Sequence, residues 1–415
     1  MTSNAQSSRH SQLSSEELVA RGKAAYLPVY SPREMILDHG KGARLWDLEG
    51  REYIDLGSGI AVNALGHQEE DLVQAAIEQT RKLWHTSNMY YTEPVIRLAA
   101  ELVEASFADR VFFSNSGAEA NEAAIKLARK YASTKKTSGK REIITFNGSF
   151  HGRTLATVTA TAQAKHQKGF DPLPGGFTYC PYNDFNAFEK IISEETCAVM
   201  IEPIQGESGI TPAEPGFLKH LQTLCHKYDA VLIFDEIQSG MGRTGRLFAY
   251  EWEEGVKPDI VTLAKALGGG LPMGAMLTTE AVGKAFSVGD HGSTFGGNPV
   301  VAAVARVALQ KIRSPQIMAN VKRQGDQLRK RLQELNLDMF KEIRGKGLMI
   351  GAELQDQWKD QAYEITEKCR HHGVLVLQAG NNVLRFLPPL NITDEELNTG
   401  MDRVIETLSD LHSGQ

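Results

Sequence analysis

Short apolar runs alternate with amphipathic stretches along most of the chain, and the spacing within each decides what it predicts. Ala43-Arg44-Leu45-Trp46-Asp47 and Glu52-Tyr53-Ile54-Asp55 alternate in period two around Leu48-Glu49-Gly50, which is a hairpin signal. A helical stretch follows at about Glu69 to Leu83. From there short strands recur at Val111-Phe112-Phe113, Glu142 to Phe146, Ala198 to Ile201, Val231 to Asp235, Ile260 to Leu263 and Ala275 to Thr278. Helices are expected between them at Ala118 to Tyr131, Asp184 to Ile192 and Gly216 to Tyr228. Strands without polar alternation, separated by helices, predict an α/β fold with a mostly parallel sheet covered on both faces.

The texture changes after the long amphipathic segment Pro315 to Leu335. Phe340 to Leu354, a helix near Ala362 to His372, strands at Val374 to Leu377 and Val383 to Leu387 and a last helix from Asp394 predict a smaller α+β unit, completed by the N-terminal hairpin. The expected division is a flexible extension over 1–20, a small domain built from 21–68 and 313–415, and a large domain over 69–312. There is no internal repeat.

Composition narrows the function. With 415 residues and 41% hydrophobic content the chain can bury a large core, and a net charge of -6 provides no global basic field for nucleic acid. The basic cluster from Lys135-Lys136 to Lys140-Arg141 is expected to be a solvated loop. Four cysteines without C-x-x-C spacing fit buried or free thiols in a reducing compartment, and no metal site is expected. No apolar stretch approaches the ~20 residues of a membrane helix. Met1 to Ser15 is polar and serine-rich, unlike a signal peptide, so a cytoplasmic protein is expected.

Candidate chemistry gathers at strand ends. Ile260-Val261-Thr262-Leu263-Ala264-Lys265 ends an apolar run on a lysine and continues into Gly268-Gly269-Gly270. Partial desolvation lowers a lysine's pKa and frees its amine to attack an aldehyde, although most lysines near strand ends are solvated charges. Ser114-Asn115-Ser116-Gly117-Ala118-Glu119 follows a strand and opens a helix: Ser116 and Glu119 have capping-box spacing, Ala120, Ala124, Leu127 and Tyr131 share a face, and Glu122 can pair with Lys126. Free N–H groups at such a start bind phosphate, and the same pattern also describes an ordinary capped helix.

Asp235 ends Val231-Leu232-Ile233-Phe234, where open α/β sheets bind ligands; it suits either a bound pyridine nitrogen or a loop cap. Gly240-Met241-Gly242-Arg243-Thr244-Gly245 matches the dinucleotide fingerprint literally, but no full helix fits before Gly255 and Pro258, so dinucleotide binding is rejected. Phe150 and Arg153 lie in Phe146-Asn147-Gly148-Ser149-Phe150-His151-Gly152-Arg153 and offer an aromatic face and a guanidinium. Arg385 sits inside Val383-Leu384-Arg385-Phe386-Leu387 and needs a carboxylate, from Glu207 or from a substrate.

Together, Asn115 to Glu122, Phe150 to Arg153, Asp235 to Gln238, Ala264 to Gly270 and His291 to Pro299 resemble the class III, ornithine-type aminotransferases that use pyridoxal phosphate. The branch acting on acetylornithine or succinylornithine is the most similar, through Gly59 to His67 and Gln378-Ala379-Gly380 as well. The likeness extends from about Tyr26 to Leu408.

It implies a fold-type I enzyme with a seven-stranded sheet, and a homodimer. Lys265 would carry the cofactor and shuttle a proton, with Asp235 on the pyridine nitrogen, Gln238 beside the ring oxygen and Phe150 stacked on the ring. Ser116, Gly117 and Ala118 would bind the phosphate, joined by Thr294 from a neighbouring subunit. Arg153, Glu207, Ser293 and Arg385 would bind substrates. The implied reaction moves the terminal amine of N-acetylornithine to 2-oxoglutarate. Succinylornithine, 4-aminobutyrate or ornithine as substrate, or a same-fold aminomutase, are the alternatives, and Arg385 argues against the aminomutase. Two positions depart from the common pattern: Ala118 replaces threonine, and Ser208 replaces glycine.

Overall fold

A computed structural model describes residues 13–135, 139–335 and 337–413. Three strands open the chain: β1 (Leu37–Lys41), β2 (Arg44–Asp47) and β3 (Glu52–Asp55), with β2 and β3 forming the expected hairpin. The large sheet takes β4 (Arg110–Ser114), β5 (Glu142–Phe146), β6 (Phe177–Cys180) and β7 (Thr196–Ile201). A small pair, β8 (Ile204–Gln205) and β9 (Thr211–Pro212), follows. The large sheet is completed by β10 (Val231–Asp235), β11 (Ile260–Leu263) and β12 (Gly274–Thr278). The C-terminal part supplies β13 (Phe340–Lys346), β14 (Met349–Leu354), β15 (Val374–Leu375), β16 (Leu377–Ala379) and β17 (Val383–Phe386).

The large sheet has seven strands in the order β4-β12-β11-β10-β7-β5-β6. Only β12 runs antiparallel to its neighbours, so the sheet is mostly parallel. Every residue of β7, β10 and β11 is buried, which is why these segments carry no alternation: both of their faces meet helices. One cover is the Gly117–Thr134 helix, whose Ala120, Ala124 and Leu127 are buried while Tyr131 is half-buried. Its alanines let it lie close to β11 and β12, so its first turn projects over the strand ends.

Some elements escaped the sequence pattern. Edge strand β6 has only one fully buried residue, and the Glu93–Glu104 and Pro299–Ile312 helices went unseen because their apolar residues merge with neighbouring runs. The expected strand Val374 to Leu377 divides. β15 pairs parallel with β3, whereas β16 pairs antiparallel with β17, so this short stretch ties the N-terminal sheet to the sheet β13-β14-β17-β16.

Three expectations need correction. Residues 1–12 lie outside the described region, but a helix capped reciprocally by Ser14 and Glu17 runs over Ser15–Ala25 and so takes in residues 15–20 of the expected flexible extension. The pair Glu122–Lys126 does not form: Lys126 Nζ donates to Asp290 O at 3.0 Å and meets His291 Nδ1 at 2.9 Å, while Glu122 accepts from Thr154 Oγ1 at 2.6 Å. Tertiary partners outcompete a local pair that contributes only a few tenths of a kcal/mol. The basic cluster is not simply solvated either. Lys136 is outside the described residues, but Lys140 is buried and donates to the carbonyls of Tyr228 and Asp229, at the exposed dipole end of the Phe217–Lys227 helix.

The glycine-rich loop at Gly240 to Gly245 starts no helix. Instead Arg243 is buried and donates to Leu348 O at 3.1 Å and to Pro388 O, joining the large sheet's loops to the C-terminal part. Among the described residues no helix is long and apolar enough to cross a membrane.

Candidate active site

A cavity of about 480 Å³ opens at the carboxyl ends of β10, β7 and β11 and is lined by Ser116, Gly117, Ala118, Phe150, Arg153, Asp235, Gln238 and Lys265. Eight of the twelve sequence-predicted residues therefore meet in one place. Glu207 and Arg385 stand beside it, reached through Gln238. Ser293 and Thr294 are not among its lining residues.

Asp235 is fixed from three sides. Its Oδ2 accepts from Asn121 Nδ2 at 2.8 Å and contacts His151 Nδ1 at 2.7 Å, and its Oδ1 accepts from Ile237 N at 3.0 Å. Asn121 Nδ2 also donates to His151 O at 2.7 Å, and its Oδ1 accepts from Thr262 Oγ1 at 2.7 Å. Burial works to lower the His151 pKa, but its contact with Asp235 wins and holds it above the ordinary value. Asp235 thus faces the cavity with the His151 ring and the Asn121 amide holding it from behind.

Lys265 begins a 3-10 turn directly after β11, with φ +44. A left-handed non-glycine residue costs on the order of 1–3 kcal/mol, which the surrounding strand end and glycines must offset. Burial is the main reason its pKa lies below the ordinary 10.5, and nearby Arg385 adds to this. The carboxylates of Glu207, Asp235 and Glu202 oppose the shift.

At the other end of the cavity the Gly117–Thr134 helix begins. Ser116 Oγ accepts from Glu119 N at 3.2 Å, as its spacing requires, but the Glu119 carboxylate turns back to Asn115 N at 2.8 Å, one residue earlier than in a capping box. Space here is already filled. A Cβ on Gly117 would lie 2.7 Å from Ile237 Cδ1, and one on Gly152 would lie 2.9 Å from Ala118 Cβ. The start of this helix therefore packs too closely for a side chain at Gly117 or Gly152, while Ser116, Gly117 and Ala118 line the cavity.

Arg385 is buried among β14, β16 and β17. Its Nη1 donates to Glu207 Oε1 at 2.7 Å, and to Gly206 O and Gln238 Oε1 at 3.3 Å each. Its Nε has no partner among the described residues. Side-chain exposure is 4% for Arg385 and 31% for Glu207, so the acid is the member with room to move. Burial acts to raise the Glu207 pKa, and Arg385 overrides it and holds it below the usual carboxylate range. The Arg153 guanidinium is exposed and sits 5.4 Å from the centre of the Phe150 ring.

Ser293 Oγ accepts from Asn115 Nδ2 at 3.1 Å and from Gly296 N at 2.9 Å, so it serves this loop's own geometry. Thr294 is exposed.

Sequence reasoning did not single out Asn121, His151 or Glu202. Asn121 lies one turn after Gly117, on the helix face turned to the sheet, and Glu202 follows β7 as Asp235 ends β10; of the two, only the strand-end carboxylate was readable as a signal. Glu202 is fully enclosed, which pushes its pKa up to about 7.

These residues fit pyridoxal phosphate. An aromatic side chain, a buried carboxylate, a desolvated amine and a helix start line one cavity and match a ring, its nitrogen, its aldehyde and its phosphate.

The family model described as "Aminotransferase class-III" matches residues 27–408. The chain is 58% identical to the acetylornithine aminotransferase of Xanthomonas axonopodis pv. citri over 91% of its own length and 94% of that protein. Its likeness to the Xylella fastidiosa acetylornithine aminotransferase is 55% over 93% and 95%. Among solved structures, the N-acetylornithine aminotransferase of Stenotrophomonas maltophilia superposes with a TM-score of 0.84 at 48% identity, covering 96% of this chain and 100% of that one. The ornithine aminotransferase of Toxoplasma gondii gives 0.93 at 32% identity, with full coverage of both.

Proposed function

Because this chain belongs to the class III aminotransferases, enzymes of pyridoxal phosphate, we propose that it moves the terminal amine of N2-acetyl-L-ornithine to 2-oxoglutarate. The products are N-acetyl-L-glutamate 5-semialdehyde and L-glutamate, a step in arginine biosynthesis. The observation that carries this reading is the pair of buried Arg385 with half-buried Glu207 beside the Lys265 cavity.

When bound, the cofactor supplies an aldehyde that takes the amine and a ring that accepts the electron pair left when the neighbouring C–H bond breaks. Lys265 holds it, then takes that proton on Nζ and returns it to the accepting carbon. Burial holds the Lys265 pKa below its ordinary value, the direction that favours the neutral amine this work needs. Asp235 keeps the pyridine nitrogen protonated, and Asn121 and His151 keep Asp235 in place. Phe150 covers one face of the ring, Gln238 bonds its oxygen, and Ser116, Gly117 and Ala118 take the phosphate.

The two substrates differ at the reacting carbon: glutamate bears a carboxylate there and acetylornithine bears none. With acetylornithine, Glu207 neutralises Arg385. With glutamate, Glu207 moves aside and the guanidinium receives the carboxylate in its place, using Nε as well. Arg153 takes the far carboxylate of either substrate, with Ser293 contributing from its loop.

The working unit in this reading is a homodimer. Trp84, Met89, Tyr90, Tyr91 and Phe295 are 60–93% exposed near Thr294, an apolar face suited to a second copy, across which Thr294 completes the phosphate site. The large domain spans 69–312 and the small one 21–68 with 313–415, a division supported by the β3–β15 pairing. Four buried cysteines outside any disulfide support a cytoplasmic setting.

The test is the visible spectrum of the cofactor-loaded protein after separate addition of N-acetylornithine, N-succinylornithine, ornithine and 4-aminobutyrate. Fastest loss of the band with N-acetylornithine is expected. Faster loss with another amine would reassign the substrate, and no band at all would remove the role given to Lys265.

A further inference from the structure

Glu202 is a buried carboxylate with no assigned part in the chemistry. It stands at the carboxyl end of β7, and its two oxygens accept from two peptide N–H groups on different loops: Oε2 from Phe150 at 3.0 Å and Oε1 from Gly206 at 3.3 Å. A carboxylate taken out of water is costly unless its oxygens are used, so its presence between these loops calls for a reason.

Gly206 is gripped from both sides. Glu202 holds its N–H, and Arg385 Nη1 holds its carbonyl. It also has no slack, since a Cβ there would lie 2.4 Å from the Gln238 side chain. When Arg385 turns to a substrate carboxylate, the grip on the carbonyl weakens and Glu202 is left to hold the peptide from which Glu207 swings.

We propose that Glu202 is a positioning residue that locks the ring-covering Phe150 and the hinge of the Glu207 gate into one frame. The proposal rests on the roles given above to Phe150, Glu207 and Arg385. Its consequence is asymmetric. In the acetylornithine half-reaction Arg385 still shares the work, whereas in the glutamate half-reaction Glu202 acts alone.

Around Glu202 stand His151 after β5, Tyr182 after β6, Asp235 on β10 and Lys265 after β11. His151 favours its charged form and Asp235 opposes it, while burial is the larger effect and places its titration near 7. Protonation turns one acceptor oxygen into a donor, so one of the two N–H groups loses its partner.

The test uses Glu202→Gln, whose amide can accept from one N–H only. In the cofactor-free protein, amide exchange should quicken in both the 146–152 and the 204–210 segments. In the loaded enzyme, kcat/KM for the glutamate half-reaction should fall about tenfold, as for loss of one hydrogen bond to a charged acceptor, and that for acetylornithine by less than about threefold. Wild type should lose the glutamate half-reaction selectively as pH falls through about 7. The variant should lack that limb.

Equal losses in both half-reactions, or exchange quickened in one segment only, would overturn the proposal. Should the variant not fold, the wild-type profile decides: a constant ratio of the two half-reactions between about pH 6 and 8 overturns it. A wild type that forms no visible band with added pyridoxal phosphate would instead remove the underlying functional reading.

Discussion

Replacing Arg385 by lysine separates charge from shape at the gate. Arg385 Nη1 reaches Glu207 Oε1 at 2.7 Å with two further acceptors at 3.3 Å, while Nε points at none of the described residues. A guanidinium can therefore exchange its partner for a substrate carboxylate and engage it with two parallel N–H groups. Lysine keeps the positive charge that neutralises Glu207 but has neither the fork nor the reach. Losing one charge-assisted hydrogen bond costs about 1.5–3 kcal/mol, roughly a 10- to 150-fold effect. The glutamate half-reaction should fall by that factor in kcat/KM, measured by rapid mixing and loss of the visible band. The acetylornithine half-reaction needs only a neutral gate and should change less than about threefold. Glu207→Gln should do the reverse, because an uncompensated guanidinium then faces an uncharged chain. If both variants slow both half-reactions alike, the gate is a structural ion pair and the division of labour is wrong.

Asn121→Ala removes two donated hydrogen bonds and one accepted one in a fully buried place, so thermal unfolding should show a loss of about 2–4 kcal/mol, together with weaker cofactor binding. Equal stability to wild type would mean the Asp235 clamp carries no weight. Mixing Thr294→Ala subunits with Lys265→Ala subunits should restore activity, since one site in each mixed dimer would have both residues; no restoration would place Thr294 within its own subunit's site or outside any. In the cofactor-free protein, the depressed Lys265 pKa means that the unfolded chain binds the extra proton between the folded value and 10.5. Stability should therefore rise with pH through that window, and Lys265→Met should flatten the rise in denaturant titrations at successive pH values. An identical slope in both proteins would contradict the desolvation of Lys265.

Much of the site was legible because its residues sit where a local pattern changes. Lys265 and Asp235 each end an apolar strand, and Ser116-Gly117-Ala118 opens a helix after one, so the rule that ligands gather at the carboxyl ends of parallel strands found all three. Glu202 obeys the same rule and was overlooked, since a carboxylate before Pro203 reads as a loop charge until its two N–H partners are seen. Asn121 was hidden differently. On a helix interior it looks like a tolerated polar residue, and only the approach of the helix to β10 and β11 turns it into the link between Asp235 and Thr262.

The amino-acid order alone determined the alternation of buried strands and amphipathic helices, the positions of Lys265 and Asp235 at strand ends, and the requirement that Arg385 find a carboxylate. Those are consequences of period, burial and unpaired charge, which act within a few residues. Tertiary structure decided which of several available partners each polar group took. Lys126 left Glu122 for the 290–291 loop and Lys140 found two helix-end carbonyls, whereas Arg385 met Glu207, the acid already expected for it. It also divided Val374 to Leu377 between two sheets, a choice set by β3 on one side and β17 on the other. Such choices depend on distances between segments that the fold, and not the local sequence, brings together. A local pattern carries no information about them, because each candidate pair differs by less than the free energy of packing the elements that bring it together.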